Sequence, residues 1–170
     1  RCAVDFPYFC SEYVKINGSP FILRPYQIEL YEHLEDNEFS IFSKYRGGGF
    51  TTIKLLYGLW KCLFRLNENV CYLSPSPSGV LIKNVIKDLP KWMTGNVLKM
   101  MHDTLKSFPE TSSTMHFYND PRDIQMSEVI TLLIIDEASF IIDMDYHWQR
   151  FHPLRCIISS NLNSANDWFY

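Results

Sequence analysis

The sequence predicts an α/β domain built on a largely parallel sheet, and three observations carry that prediction. Apolar runs of strand length alternate with segments whose apolar residues recur at helical spacing. A glycine cluster, GGG at 47–49, separates one strand-like run from one helix-like run. The strongest apolar run, LLII before Asp136, ends on two adjacent carboxylates. At 170 residues the chain is long enough for one core, and 46% hydrophobic with 15% aromatic residues is too rich for a disordered chain. No apolar run reaches the length of a membrane span, and the leading RCAVDFPYFC lacks the apolar core of a secretory signal. The five cysteines are odd in number and never fall at CxxC spacing, so free thiols are expected rather than a zinc site or a disulfide framework. A net charge of −3 argues against nucleic-acid binding through a bulk positive field. The start at Arg1, without Met, suggests a piece of a longer chain.

Taken in order, residues 1–24 read as a lead-in of short aromatic and apolar pieces, broken by an NGSP turn at 17–20. Pro25 suits the first turn of a helix over YQIELYEHLED, where its missing N–H costs nothing. FSIFSKY at 39–45 reads as a buried strand running into the glycine loop. Beyond the loop, Ile53, Leu56, Leu59, Trp60 and Leu63 mark one face of a long helix. VCYLS is a second buried strand, SPSPSG at 74–79 a turn, and VLIKNVIKDL at 80–89 an amphipathic helix closed by Pro90. DTLKSF and TMHFYN form a hairpin around PETSS. The apolar run ending on Asp136 is the strongest strand, MDYHWQRF a short helix, RCIISSN at 155–161 another strand, and ANDWFY the start of a last helix.

Four stretches carry chemistry. A strand, a glycine-rich turn and a helix start aim backbone N–H groups and a positive helix end at one point, which is what a phosphate needs. Thr51 then stands where phosphate loops place a metal-holding hydroxyl, but Phe50 occupies the position of the usual lysine. The bland alternative is that GGG is a flexible turn. The second stretch, LLIIDEASF, is arranged like a Walker B strand, with Asp136 placed to hold Mg2+ and Glu137 to orient or deprotonate water. Strand ends with two solvated acids are common, but the combination with the loop is much less so. Third, Gln27 in LRPYQ carries an amide that matches the adenine edge; taken without the other stretches, a helix-surface glutamine is the plainer reading. Fourth, Ser159, Ser160 and Asn161 end a strand with groups suited to sensing a γ-phosphate; an ordinary helix cap is an equal reading on spacing alone.

Together these residues resemble the ATPase domain of bacteriophage large terminases of the T4-like type, the DNA-packaging motors. The likeness runs from PFILRPYQIELYEHL and FSIFSKYRGGGFTT through LKSFPETSSTMHFYN and LLIIDEASFI to IISSNLNSANDWFY. It implies a P-loop NTPase of the recA-like (ASCE) type, a three-layer sandwich with a mainly parallel central sheet. It implies one domain over residues 1–170, with 1–24 as a lead-in or lid and without the nuclease domain that family members carry. ATP and Mg2+ are the implied cofactors. Gln27 would read adenine; Gly47, Gly48, Gly49, Thr51 and Thr52 would bind phosphate. Thr51 and Asp136 would serve the metal, Glu137 would be the catalytic carboxylate, and Ser159–Ser160–Asn161 would couple hydrolysis to movement. Implied partners are double-stranded DNA, a portal protein, a small terminase subunit and further copies in a pentameric ring, in the cytoplasm of an infected host cell and away from any membrane.

Three departures from the family pattern stand out. The loop lysine is absent, which makes Lys44 and Arg46, at the head of the loop, candidates for a displaced cation; otherwise Lys44 is a solvated loop residue and Phe50 packs under the helix. The family's Arg-Gly pair before the Walker B strand is replaced by DIQMSEV, with Arg122 the nearest arginine. The coupling stretch reads Asn161-Leu162 where the family has Pro-Asn. Two other classes stay open on sequence: a non-catalytic nucleotide- or partner-binding module, and a helicase-like ATPase, which would need a second domain.

Overall fold

A computed structural model describes residues 1–76, 79–95, 104–124 and 129–161. Its framework is a six-stranded sheet in the order β3 (Phe39–Lys44), β8 (Arg155–Asn161), β7 (Leu132–Asp136), β4 (Asn69–Leu73), β6 (Ser113–Tyr118), β5 (Leu105–Phe108). Every pairing is parallel except β5 with β6, the expected hairpin, whose turn holds a short 3-10 segment at Pro109–Thr111. β7 is buried along its whole length, as its unbroken apolar run requires of a central strand flanked on both faces.

Helices α1 (Phe6–Tyr13), α2 (Pro25–Asp36), α3 (Phe50–Phe64), α4 (Gly79–Asp88) and α5 (Lys91–Thr94) precede the last strands. One core joins Phe6, Leu34, Trp60 and Ile86 from this helical side to Val70, Met115, Ile134 and Ile157 of the sheet. A smaller core on the opposite face sets Cys71, Leu133, Ile135 and Ile158 against Ile124, Ile141, Phe151 and Met144 of α6 (Met144–Trp148). The result is the three-layer arrangement the sequence predicts. The five cysteines are free and buried, also as expected. Among the described residues no helix is long and apolar enough to cross a membrane.

Two expectations need correcting. Residues 1–24 open with a two-turn helix, α1, where the sequence suggests only short aromatic and apolar pieces. Asp5 caps α1 by accepting from the Tyr8 N–H at 2.8 Å, and Pro7 sits in the first turn. Phe6 then packs on Tyr31, Tyr57 and Trp60, with ring centroids 5.0, 6.1 and 5.7 Å apart, and the Trp60 indole donates to the Cys2 carbonyl at 2.8 Å. This anchors α1 on the later turns of α3, away from the glycine loop. The NGSP turn does form, closing the small β1 (Lys15–Ile16)–β2 (Ser19–Pro20) hairpin with Asn17 and Gly18 at positive φ. Second, β3 is an edge strand among the described residues, with one neighbour there, β8, and with Phe39 58% and Ile41 68% exposed. The predicted helix at ANDWFY and most of the DIQMSEV stretch lie outside the described residues.

Candidate active site

Parallel order brings the carboxyl ends of β3, β8 and β7 together. Lys44 is paired in register with Asn161, and both Phe42 and Asp136 lie opposite Ser159. The sheet therefore inserts β8 between the loop strand and the acid strand, a placement that spacing along the chain does not reveal. The loop follows β3, and each of its glycines has its own reason. Gly47 and Gly49 hold φ of +82° and +73°, where a side chain is strained. A Cβ on Gly48 would stand 2.5 Å from the Phe50 ring and 3.0 Å from the Tyr45 ring. Gly49 is also the cap of α3, and no side chain caps it, so the N–H groups of Phe50, Thr51 and Thr52 have no acceptor within the helix. Gly49, Phe50 and Thr51 border a cavity of about 280 Å³, lined further by Lys44, Arg46, Glu137 and Asn161.

Asp136, 2% exposed, forms the floor of the site beneath two of the cavity's lining residues, Lys44 and Thr51. Its Oδ2 accepts from the Thr51 hydroxyl at 2.6 Å and the Tyr72 hydroxyl at 2.8 Å. Its Oδ1 accepts from the Lys44 and Lys54 ammonium groups, from Ser159 Oγ at 3.0 Å and from the Glu137 N–H at 3.1 Å. Lys44 Nζ donates to Thr51 Oγ1 as well, at 3.2 Å, while Lys54 Nζ also reaches Ser159. Burial would push the Asp136 carboxyl up, but the two ammonium groups outweigh it and hold the group far below its ordinary value. Burial brings Lys54 down to about 8, although Asp136 pulls the other way. Lys44 and Lys54 face two carboxylates, Asp136 and Glu137, beneath the positive end of a helix, and Arg46 adds a third cation at the rim.

The structure thus brings Lys44, Gly47, Gly49, Thr51, Asp136, Glu137 and Asn161 to one place. Lys44 is not a solvated loop residue: it is 9% exposed and engaged with both Thr51 and Asp136. Phe50 leaves the lysine position for an aromatic cluster, 5.9 Å from Phe42 and 6.0 Å from Tyr26. Arg46 is exposed on the cavity rim. Glu137 adopts a left-handed turn, φ 55°, directly after β7. Ser160 ties β8 to the turn after Glu137, with its Oγ 2.5 Å from Ser139 Oγ.

Gln27 makes two hydrogen bonds within the protein. Its Oε1 accepts from the Arg24 N–H at 2.9 Å and its Nε2 donates to the Gly48 carbonyl at 3.0 Å. It is 4% exposed, and through these two bonds it braces the loop. Arg122 is absent from the cavity, turned onto Asp120 in an exposed pair in a separate cleft with Asp143 and His147. Sequence reasoning missed Lys54 altogether. The available signal was a lysine, at 54, inside a stretch where α3 is buried on every side from Ile53 to Leu63.

The hydroxyl of Thr51 and the carboxylate of Asp136 supply the hard oxygen donors that Mg2+ prefers. No group of three or more His, Cys, Asp or Glu side chains suited to a metal occurs among the described residues.

Comparison with solved structures places the fold. The HK97 bacteriophage large terminase superposes on 96% of this chain and 38% of its own length, with a TM-score of 0.71 and 15% identity. The Thermus phage P74-26 large terminase ATPase domain matches over 88% of this chain and 68% of its own, with a TM-score of 0.54 and 12% identity. The Sulfolobus solfataricus SWI2/SNF2 ATPase core, solved in complex with double-stranded DNA, covers 94% of this chain over 36% of its own, at 0.52 and 15%. No family model and no curated protein matches the sequence. The chain has the fold of phage large-terminase ATPase domains, and it spans well under half of the HK97 protein.

Proposed function

We propose that the chain is an Mg2+-dependent ATPase, the motor domain of a viral large terminase, which drives double-stranded DNA into a procapsid. The observation that carries the reading is the position of the lysine at the head of the loop: Lys44, from the end of β3, sits on Thr51 and Asp136 beneath an uncapped helix start. The fold supports it, and so does the double-stranded DNA in the Sulfolobus complex. Portal protein, small terminase subunit, a pentameric ring and the host cytoplasm belong to the same reading.

In this account the N–H groups at Gly47–Gly49 and the first turn of α3, through Thr52, bind β- and γ-phosphate oxygens. Lys44 supplies the charge that a loop lysine would bring, with Arg46 as a second cation at the rim. Bound magnesium would neutralise charge on the phosphate oxygens, and Thr51 with Asp136 would hold it. Glu137 orients the attacking water and accepts its proton. Ser159, Ser160 and Asn161 join the floor to β8 and to the turn after β7, so a change at the phosphates is felt along the strand. Gln27 acts by holding Gly48.

The test is ATP hydrolysis with Mg2+ by the parent chain and by Glu137→Gln. The variant should still bind ATP while turnover falls roughly a hundredfold or more. Equal turnover in the two would remove Glu137 from the chemistry. Binding without turnover in the parent would point instead to a non-catalytic nucleotide module.

A further inference from the structure

The cavity that meets the loop is at the small end of ligand sites, which span roughly 300–1,000 Å³. It suits a polyphosphate tail better than a whole nucleotide, so the base would lie at the rim. There, beside Arg46, the cavity lining presents an aromatic ring, Tyr45, which is 59% exposed. Its exposure is not freedom. The ring meets Phe50 edge-on, with centroids 5.4 Å apart at 85°, and lies 6.3 Å from Tyr26. Tyr26 is itself pinned, donating to the Gly48 carbonyl at 2.9 Å. Phe50 is buttressed from beneath by Phe42. Gly48 lets this wall close over the loop, because any Cβ there would strike two of its rings. The residue best suited to reading a base edge, Gln27, is occupied with Arg24 and Gly48.

On the reading of this cavity as a phosphate site, we infer that Tyr45, backed by Phe50 and Tyr26, is the platform on which the nucleotide base stacks, and that the site takes adenine and guanine triphosphates with little preference. Stacking contributes affinity whatever the base, since every base offers a π-face. Discrimination between purines needs donors and acceptors set against the base edge. The displaced phenylalanine thereby acquires a purpose: Phe50 supports the wall, while Lys44 takes over the charge.

The experiment measures equilibrium binding of ATP, GTP and inorganic triphosphate, each with Mg2+, to the parent chain, Tyr45→Phe and Tyr45→Ala. Melting curves check that the exposed substitutions leave the fold intact. In the parent, ATP and GTP should bind within a few-fold of each other and each about tenfold or more tighter than triphosphate. Tyr45→Ala should bring both down to the triphosphate level without changing triphosphate itself, and Tyr45→Phe should keep the parent pattern. An unchanged ratio of ATP to triphosphate in Tyr45→Ala would overturn the platform, and strong preference for one purine would overturn the loose specificity. Either result leaves the phosphate site standing. Failure of the parent to bind any of the three would bring down the phosphate site and the platform together.

Discussion

Lys54 is a full positive charge in a helix face with no access to water, and it is tolerated because Asp136 and Ser159 meet its ammonium. Removing one partner of such a buried group costs about 3–5 kcal/mol. Asp136→Asn, which leaves two buried ammonium groups without their carboxylate, should lower unfolding free energy by that order in a denaturant titration; Lys54→Met, which leaves Asp136 its Lys44 partner, should cost less, and the two combined less than the sum. At Gly48, alanine would push a Cβ to 2.5 Å from the Phe50 ring. Gly48→Ala should cost about 1–3 kcal/mol by the same titration and weaken nucleotide binding with it. The sequence made the glycines and the Asp136–Glu137 pair legible because both are local patterns. Lys54 was not legible: its neighbours in sequence are apolar, and the carboxylate that justifies it arrives more than eighty residues later, with a sequence separation of 82. The bracing contact of Gln27 is hidden for a related reason, since an amide fits a base edge and a loop carbonyl equally well.

Elements decide how these residues meet. Strand β8 lies between β3 and β7, so the Lys44–Asp136 contact spans a strand and draws three carboxyl ends together. This makes Asp136 a pH-sensitive tie between elements. Its folded carboxyl sits well below the ordinary 3.8, so below about that pH the unfolded chain takes up a proton that the folded chain refuses. Stability from this group is therefore complete above that value and lost as the pH falls. Melting temperature measured through the acid range should drop more steeply for the parent than for Asp136→Asn, while the exposed Asp120, also depressed, contributes alike to both. Strand alternation and helix period made most elements readable. The exceptions were α1, whose aromatic spacing was broken by Pro7 and Cys10, and the edge position of β3. An FSIF run looks the same whether one neighbour or two will pair with it.

At the scale of the molecule, the layers put a thick helical core on one face and a thinner one on the other, and leave the carboxyl edge of the sheet for the site. A ligand that binds only this folded edge must stabilise the whole fold. ATP with Mg2+ at a hundred times its dissociation constant should add about 2.7 kcal/mol, visible as a raised melting temperature, and the gain should vanish when magnesium is chelated. The fold class was legible because alternating strands and helices leave few topologies; the order of its strands was not, because pairing is non-local. The central claim is that the loop works with its cation moved from position 50 to Lys44. The most direct measurement is ATP affinity with Mg2+ for the parent and for Lys44→Ala, with melting curves to confirm that both are folded. The account predicts a loss of affinity of tenfold or more, in line with about 1.5–3 kcal/mol for a charged hydrogen bond. A folded Lys44→Ala that binds ATP as the parent does would contradict it.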